Sequence, residues 1–277
     1  MSGVSDQSTF VAAHGDRLRV VPRRGGLVTG WLCHGPWGER EMLYFDADRF
    51  ADPSKSVRGG IPVLFPICGG LQGSALPQHG FARDLPWAMS ELPDGSGIRL
   101  SLNDTAGTRV VFPHRFQLDL ELRPEPQALS ILARVGNPAG AGEPPLPFSL
   151  GLHPYFAVAD LAAVRLSGLP AQAVDQTVNA TAATTTLLGD LTRGVDVLAG
   201  PTPAVRLETD DIAITLETLA PLDLAVVWTD PPRPMVCLEP WTAPRGALTS
   251  GERLLHVPAG GSVELTCCYR VEALRMS

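Results

Sequence analysis

The sequence carries little charge for its length and almost no lysine. Of its 277 residues 18% are charged, with 22 Lys+Arg against 29 Asp+Glu, and Lys55 is the single lysine. A formal net charge of −7 does not provide the clustered basic surface that binding to nucleic acid requires, so we expect no nucleic-acid partner. An anionic ligand would need a local pocket of arginines. With 44% hydrophobic residues, the chain is also too apolar to be disordered.

Long apolar runs and paired cysteines are also missing. No run reaches the ~18 residues of a membrane-spanning helix, and residues 1–7 lack the basic and then apolar regions of a secretion signal. The five cysteines are odd in number and contain no CxxC, and the adjacent Cys267 and Cys268 cannot easily close a disulfide. We therefore expect a cytoplasmic protein with reduced, mostly buried thiols and no membrane partner.

Apolar and polar residues alternate with a period of two along the whole chain. Residues 98–103, 116–123 and 211–217 show this pattern, which is typical of strands with one buried and one exposed face. Turns rich in proline and glycine separate the runs, and no segment has apolar residues at helical spacing. Strands that follow one another without helical crossovers pair antiparallel. The sequence therefore predicts an all-β fold, a large antiparallel β-sandwich.

No change in composition divides the chain into parts. The stretch richest in proline and glycine, residues 137–147, lies between two strand-like runs, and we interpret it as a long hairpin loop. No internal repeat is present. We therefore expect residues 1–277 to form one domain, which exists as a monomer or a weak homodimer.

Three segments interrupt the alternation and place ionisable groups among prolines, glycines and apolar residues. They are residues 58–83, 151–156 and 236–241. An ionisable group in such a run is either a core residue with a partner or part of a site. The segments contribute two arginines, two histidines and a glutamate, namely Arg58, Arg83, His79, His153 and Glu239. So many ionisable groups in three such segments favour a shared site.

Common metal and cofactor motifs do not fit this set. Pro154 disfavours a helix at His153, which excludes a helical pair of histidine ligands, and His79 has no further ligand at suitable spacing. The glycines at positions 59 and 60 begin neither a P-loop nor a dinucleotide fingerprint, and no GxSxG motif is present. Cys68 is interpreted as a small buried residue. We therefore expect no metal and no cofactor, which leaves a histidine and a glutamate as an acid/base pair.

Three ordered motifs resemble those of the galactose-mutarotase-like superfamily. They are RGGIP (58–62) with PQHGFAR (77–83), LHPYF (152–156) and MVCLEP (235–240). Within the superfamily, the hexose-6-phosphate mutarotases (glucose-6-phosphate 1-epimerases) are the most similar branch. The resemblance implies a large antiparallel supersandwich with an open cleft for one sugar or sugar phosphate. It also implies an isomerase that interconverts the α and β anomers of an aldohexose.

The resemblance also implies a role for each matching residue. His153 would be the general acid and Glu239 the general base. The substrate-binding wall would consist of Arg58, Gln78, His79 and Arg83. Asp196 would hold sugar hydroxyls, although Asp190 lies close to it in the sequence and the choice between them stays open. Planar guanidinium forks match the oxygens of a phosphate dianion, so the two arginines favour a hexose 6-phosphate.

Acid/base chemistry can open a pyranose ring without a covalent intermediate. One proton leaves the C1 hydroxyl and another reaches the ring oxygen, and a carboxylate with a protonated imidazole can perform both transfers. This requires His153 to be cationic near neutral pH, and we expect the nearby carboxylate to favour that state. Two alternatives remain open: a carbohydrate-binding module without turnover and a β-sandwich that serves as an interaction scaffold.

Individual residues also have structural interpretations. His79 could have no role beyond a hydrogen bond to the backbone at the Gly80 turn, and Arg58 could pair with Asp52 or Asp84 at a sheet edge. Tyr155 fits a core position better than a sugar-stacking one, because it lies in an apolar run. Trp228 and Trp241 fit sugar stacking and strand ends equally well.

Overall fold

The structure is a computed structural model that describes residues 6–52 and 54–274. Residues 1–7, in which the sequence shows no secretion signal, therefore lie mostly outside the described residues. In the described ranges, no helix has the length and apolar character needed to cross a membrane. All five cysteines lie within these ranges as free thiols, and four of them are buried, as expected.

Strands dominate the regular structure, which confirms the all-β prediction. The helices are short: α1 (Ala47–Ala51), α2 (Ala106–Val111), α3 (Thr184–Leu187) and α4 (Ala247–Ser250), with 3₁₀ turns at Ala82–Asp84 and Leu191–Arg193. In chain order the strands are β1 (Ser8–Val11), β2 (Arg17–Val21), β3 (Leu27–Gly35), β4 (Gly38–Glu41), β5 (Val63–Leu64), β6 (Ala88–Glu91), β7 (Ile98–Asn103), β8 (Gln117–Glu125), β9 (Ala128–Gly136), β10 (Leu146–Phe148), β11 (Gly151–Leu152), β12 (Tyr155–Ala157), β13 (Arg165–Ser167), β14 (Gln172–Asp175), β15 (Ala180–Ala183), β16 (Asp196–Ala199), β17 (Ala204–Glu208), β18 (Ile212–Thr218), β19 (Leu224–Trp228), β20 (Met235–Trp241), β21 (Leu255–Val257) and β22 (Ser262–Ala273).

Two antiparallel sheets of eight strands make up most of the molecule. The front sheet has the order β15-β14-β16-β19-β20-β11-β5, with β12 also paired to β20. The back sheet has the order β13-β17-β18-β22-β9-β8-β7-β6. Strands β1 to β4 form a smaller sheet, and β10 pairs with β21.

The main core lies between the front and back sheets. In β7 of the back sheet, Ile98, Leu100 and Leu102 are buried in the core while the side chains between them are partly exposed, as the alternation predicted. From the front sheet, Phe156 packs on Tyr269 of β22 with ring centroids 5.1 Å apart. Burying each such apolar side chain contributes about 1.5–3 kcal/mol. The predicted β-sandwich is therefore confirmed.

The interpretation of residues 137–147 as a hairpin loop is wrong. Strand β9, before this segment, pairs with β8 and β22 in the back sheet, whereas β10, after it, pairs with β21. The segment therefore connects two different sheets, and its last two residues already belong to β10. Alternation reveals that a strand has a buried face but not which strand it pairs with.

Candidate active site

Strand β20 crosses the centre of the front sheet and is buried along its whole length. Val236 and Leu238 face the main core between the sheets. The alternate residues Cys237, Glu239 and Trp241 face the opposite side, where they pack with aromatic and apolar side chains of neighbouring strands. The apolar run around Glu239 is therefore explained by β20, a strand that is covered on both of its faces.

His153 reaches the same side of the sheet through an interrupted partner strand. Strands β11 and β12 both pair with β20, and the register of the two pairings places His153 opposite Glu239. Pro154 has no N–H for the ladder, so the strand breaks there. The backbone N–H of His153 donates instead to the carbonyl oxygen of Pro62, 2.9 Å away.

The two side chains lie next to each other at the floor of a cavity. Nδ1 of His153 is 3.3 Å from Oε1 of Glu239, and the side chains are only 10% and 1% exposed. The contact does not have the geometry of a hydrogen bond, so this nitrogen has no hydrogen-bond partner among the described residues. Trp241 Nε1 donates to the other carboxyl oxygen of Glu239 at 3.0 Å. The ring of Tyr155 stacks on the imidazole, with centroids 4.7 Å apart.

Burial favours the uncharged form of both members of the pair. It raises the pKa of Glu239 well above its usual range, and the charge of Asp196 raises that pKa further. Burial also lowers the pKa of His153 well below its usual range, with further lowering by His79, Arg83 and Arg58. Desolvation in the free protein therefore opposes the cationic state that we expected for His153.

His79 is held in one tautomer by the backbone of Gly69. The backbone N–H of His79 donates to the Gly69 carbonyl oxygen at 2.6 Å, and the backbone N–H of Gly69 donates to the ring nitrogen Nδ1 of His79 at 3.0 Å. Nδ1 is therefore unprotonated, and the neutral ring carries its proton on Nε2. Burial and then the charges of Arg83, Arg245 and Arg58 lower the pKa of His79 to about 3. The expected backbone contact exists, although at position 69, and the ring still lines the cavity as a neutral N–H donor.

Arg58 is anchored by a residue distant in the sequence. Its Nε lies 3.2 Å from Oδ2 of Asp230, and its guanidinium carbon lies 5.4 Å from the ring centroid of Trp228. The alternative pairing with Asp52 or Asp84 is therefore wrong. Asp230 orients the fork at the rim of the cavity.

Arg83 and Gln78 occupy the same wall. Nη2 of Arg83 donates to the backbone oxygen of Gln78 at 2.8 Å, while its closest carboxylate, Asp84, is 4.0 Å away. Burial lowers the pKa of Arg83 from its usual value. The side-chain amide of Gln78 lies 3.4 Å from Nε2 of His79. Arg83 is therefore a mostly buried cation with little compensation from its neighbours.

Asp196 lies in the cavity and Asp190 outside it. Asp196 begins β16, and its two carboxyl oxygens accept hydrogen bonds from Gln176 Nε2 at 2.8 Å and from Arg245 Nη2 at 2.6 Å. Asp190 caps the following 3₁₀ turn through Thr192 and is half exposed. The choice that the sequence left open therefore falls on Asp196 by position, while its role stays a prediction.

The structure brings all seven predicted site residues together around one cavity of about 150 Å³. They are Arg58, Gln78, His79, Arg83, His153, Asp196 and Glu239. The cavity is also lined by residues that were not predicted as site residues: Ser56, Tyr155, Val226, Trp228, Trp241 and Arg245. Tyr155 and Trp241 lie inside or beside the recognised motifs, which is a usable signal. Arg245 stands in an ordinary turn sequence and has none.

One group of donor atoms in the described residues has the spacing of a metal site. His153, Cys237 and Glu239 each offer one ligand atom, and these atoms lie within 4.8 Å of one another. Nitrogen, sulfur and oxygen donors suit Zn²⁺. An ion held there would occupy the proposed acid and base, and the absence of a functional metal stays a prediction.

Comparisons with known proteins agree on one family. The sequence model of the aldose 1-epimerases matches residues 9–257. A curated Salmonella typhimurium protein named "Putative glucose-6-phosphate 1-epimerase" is 30% identical over 214 residues, which cover 76% of this chain and 67% of the relative. The match spans 60% and 45% of the length of two further curated relatives.

Solved structures agree at the level of the fold. A protein of Synechocystis sp. PCC 6803 superposes with a TM-score of 0.89 at 32% identity, over 99% of this chain and 100% of that one. A galactose mutarotase related enzyme of Lactobacillus acidophilus superposes with a TM-score of 0.75 at 19% identity, over 96% and 97% of the two chains. The second similarity establishes the fold alone.

Proposed function

The chain belongs to the aldose 1-epimerase family, and we propose that it interconverts the α and β anomers of a hexose 6-phosphate by acid/base catalysis. The observation that carries the proposal is the contact between His153 and Glu239 at the floor of the polar cavity. The C1 hydroxyl oxygen, which loses a proton during ring opening, and the ring oxygen, which receives one, are both bonded to C1. The base and the acid must therefore both reach this end of the sugar, and the two side chains lie side by side.

The number of protons on the pair stays at one throughout the proposed reaction. With a carboxylate at Glu239 and an imidazolium at His153, the carboxylate takes the proton of the C1 hydroxyl and the imidazolium protonates the ring oxygen. The C1–O5 bond breaks, and the aldehyde faces a neutral pair of carboxylic acid and imidazole. Rotation about the C1–C2 bond and reversal of both transfers closes the ring on the other face.

The charge preference of the free protein fits one end of this cycle. Burial favours the neutral pair, which is the form that faces the open-chain sugar. A bound sugar brings hydroxyl groups that can hydrogen-bond the ionic form, and His79 contributes a neutral N–H donor beside it. In the proposed reaction the pair therefore alternates between its ionic form, with the closed ring, and its neutral form, with the open-chain sugar.

Phosphate recognition is the finer part of the proposal. Arg83 is mostly buried and little compensated, and Arg58 lies in the same cavity wall with Ser56. Two converging guanidinium groups can donate several charge-assisted hydrogen bonds to a phosphate dianion. The names of the curated relatives agree with this substrate class.

The direct test is NMR exchange spectroscopy of anomers with and without the protein. Glucose, galactose and their 6-phosphates are compared side by side at equal concentration. We expect exchange to be fastest with one hexose 6-phosphate. Binding of a sugar without any acceleration of exchange would support a carbohydrate-binding module and reject the enzyme.

Arg83→Ala tests the phosphate separately. Hydrogen bonds to charged groups are worth about 1.5–3 kcal/mol, so we expect kcat/KM to fall about 10- to 100-fold for the hexose 6-phosphate and much less for the free hexose. Arg134→Ala, at an exposed arginine of the back sheet, is the matched control. An equal rise in KM for both substrates would show that Arg83 does not recognise the phosphate.

A further inference from the structure

Arg245 enters the cavity from the turn between β20 and α4, six positions after Glu239. Its Nη2 donates to Asp196 at 2.6 Å, its Nη1 lies 3.5 Å from the backbone oxygen of Gln176, and its Nε is buried with no hydrogen-bond partner among the described residues. The Arg245 side chain is 33% exposed, and its shortest polar contact is the one with Asp196.

Two donors on different segments fix the carboxylate of Asp196. Gln176 supplies a hydrogen bond to one oxygen and Arg245 to the other, so the group cannot rotate without breaking one of them. The side chain of Asp196 is only 15% exposed, and this exposed part faces the cavity. Its remaining lone pairs are therefore presented in one direction.

Gly69 makes room for the stem of Arg245. Its φ is +78°, and a Cβ at this position would lie 2.2 Å from Cγ of Arg245. The same glycine holds Nδ1 of His79 through its N–H. One backbone position therefore supports both Arg245 and the neutral histidine donor.

We propose that Arg245 is a positioning residue. It holds the carboxylate of Asp196 in one orientation in the cavity, and its positive charge offsets the negative charge of Asp196 next to Glu239. This inference rests on the proposed function. It assigns Arg245 no contact with the reacting atoms, and its effect on the reaction passes through Asp196 and Glu239.

Few groups around Glu239 can change its proton affinity through charge. The titratable groups and charges near it include Cys68, His153, Tyr155, Asp196, Cys237 and Arg245 on the cavity side of the sheet and Tyr269 on the core side. Burial raises the pKa of both thiols and both phenols, so these four stay neutral. His153 shares the reacting proton. Asp196 and Arg245 are therefore the two fixed charges that act on Glu239, in opposite directions, whereas Arg58 and Arg83 act on His153.

The test is a double-mutant cycle read by the pH dependence of kcat/KM for anomer exchange. Arg245→Gln removes the positive charge, so both limbs of the profile should move to higher pH; a one-unit move corresponds to a tenfold change in proton affinity. Asp196→Asn should move both limbs to lower pH. The double variant should return both limbs close to those of the wild type. Arg245→Lys should keep the limbs in place and raise KM, because it keeps the charge and loses the planar fork.

A purely structural role would give a different result. If Arg245→Gln lowered only the melting temperature and left both limbs and KM unchanged, the inference would be overturned. If the wild type exchanged no sugar, the proposed function would fail on its own. The ¹³C NMR titration of the Glu239 carboxyl group in the wild type and in Arg245→Gln would then decide the inference, by a shift to higher pH or by coincident curves.

Discussion

The cavity wall and the outer face of the back sheet are built from the same residue types and differ in what they can do. On the outer face, Arg134 of β9 lies opposite Glu264 of β22 at 2.5 Å, and the side chains are 45% and 53% exposed. In the cavity, Arg245 contacts Asp196 at 2.6 Å. The distances are almost equal. Only the cavity also buries an acid and a base whose pKa values are shifted in opposite directions.

The comparison shows that contact distance alone does not identify a functional pair. An exposed ion pair contributes about 0–1 kcal/mol because water and salt screen it. In the cavity, desolvation lowers the pKa of His153 and raises that of Glu239, and several charged groups line one volume. The cavity therefore differs from the outer face of the back sheet in two ways: its ionisable side chains are buried, and several of them line one volume.

The largest expected effect is the loss of turnover when the buried pair is broken. Glu239→Gln and His153→Asn should each lower kcat by about 10²–10⁴-fold, because each removes one proton transfer from the ring-opening step. The measurement is anomer exchange by NMR, with near-UV circular dichroism to check the fold. Both variants replace a group by one of similar size, so we expect the sandwich to remain folded.

The outer face supplies the control for this experiment. Glu264→Gln removes an equivalent carboxylate from an exposed pair and should leave kcat unchanged. Wild-type turnover in both cavity variants would remove the basis for the acid/base assignment. A comparable loss in Glu264→Gln would show that the measured effect is not specific to the cavity.

The fold class could be predicted because alternation is a local property of the chain. Residues 98–103 reveal a strand with one buried face whatever its partner is. The pairing of β10 with β21 could not be predicted in this way. It depends on contacts between segments about 110 positions apart, as the wrong interpretation of residues 137–147 shows.

The site was predictable to the extent that ionisable groups stood out in apolar runs. His153 and Glu239 did so, and the recognised motifs added their neighbours. Arg245 did not, because its partner Asp196 lies 49 positions away, and Asp230, in a sequence typical of a turn, is 172 positions from Arg58. The lowering of the pKa of His153 by burial was also missed, because residue types do not reveal how completely a side chain loses water.

A smaller effect is expected on the acid stability of the protein. The pKa of His79 is about 3 in the folded protein and about 6.5 in the unfolded chain, so below pH 6.5 the unfolded state binds a proton that the folded state does not. The free energy of unfolding therefore falls by about 1.4 kcal/mol per pH unit from this residue as pH falls from 6.5 to 3. At pH 5 this amounts to about 2 kcal/mol.

His79→Gln should reduce this acid sensitivity. Urea unfolding at several pH values would compare the slopes of the wild type and the variant, whatever the difference in their stability at neutral pH. His256→Gln, at an exposed position of β21, is the matched control for the loss of a histidine. Equal slopes for the wild type and His79→Gln would mean that the histidine titrates normally in the fold.

The smallest effect is expected at the exposed pair of the back sheet. In a double-mutant cycle of Arg134→Ala and Glu264→Ala, the coupling free energy should be at most about 1 kcal/mol and should fall with added salt. The reason is that both side chains stay about half exposed to water, so the pair gains little when it forms and loses little when it breaks. Urea unfolding of the four proteins at low and high salt measures the coupling directly. A coupling well above 1 kcal/mol that resists salt would mean that this face is as strongly desolvated as the cavity, and the distinction between the two regions would then have to rest on convergence alone.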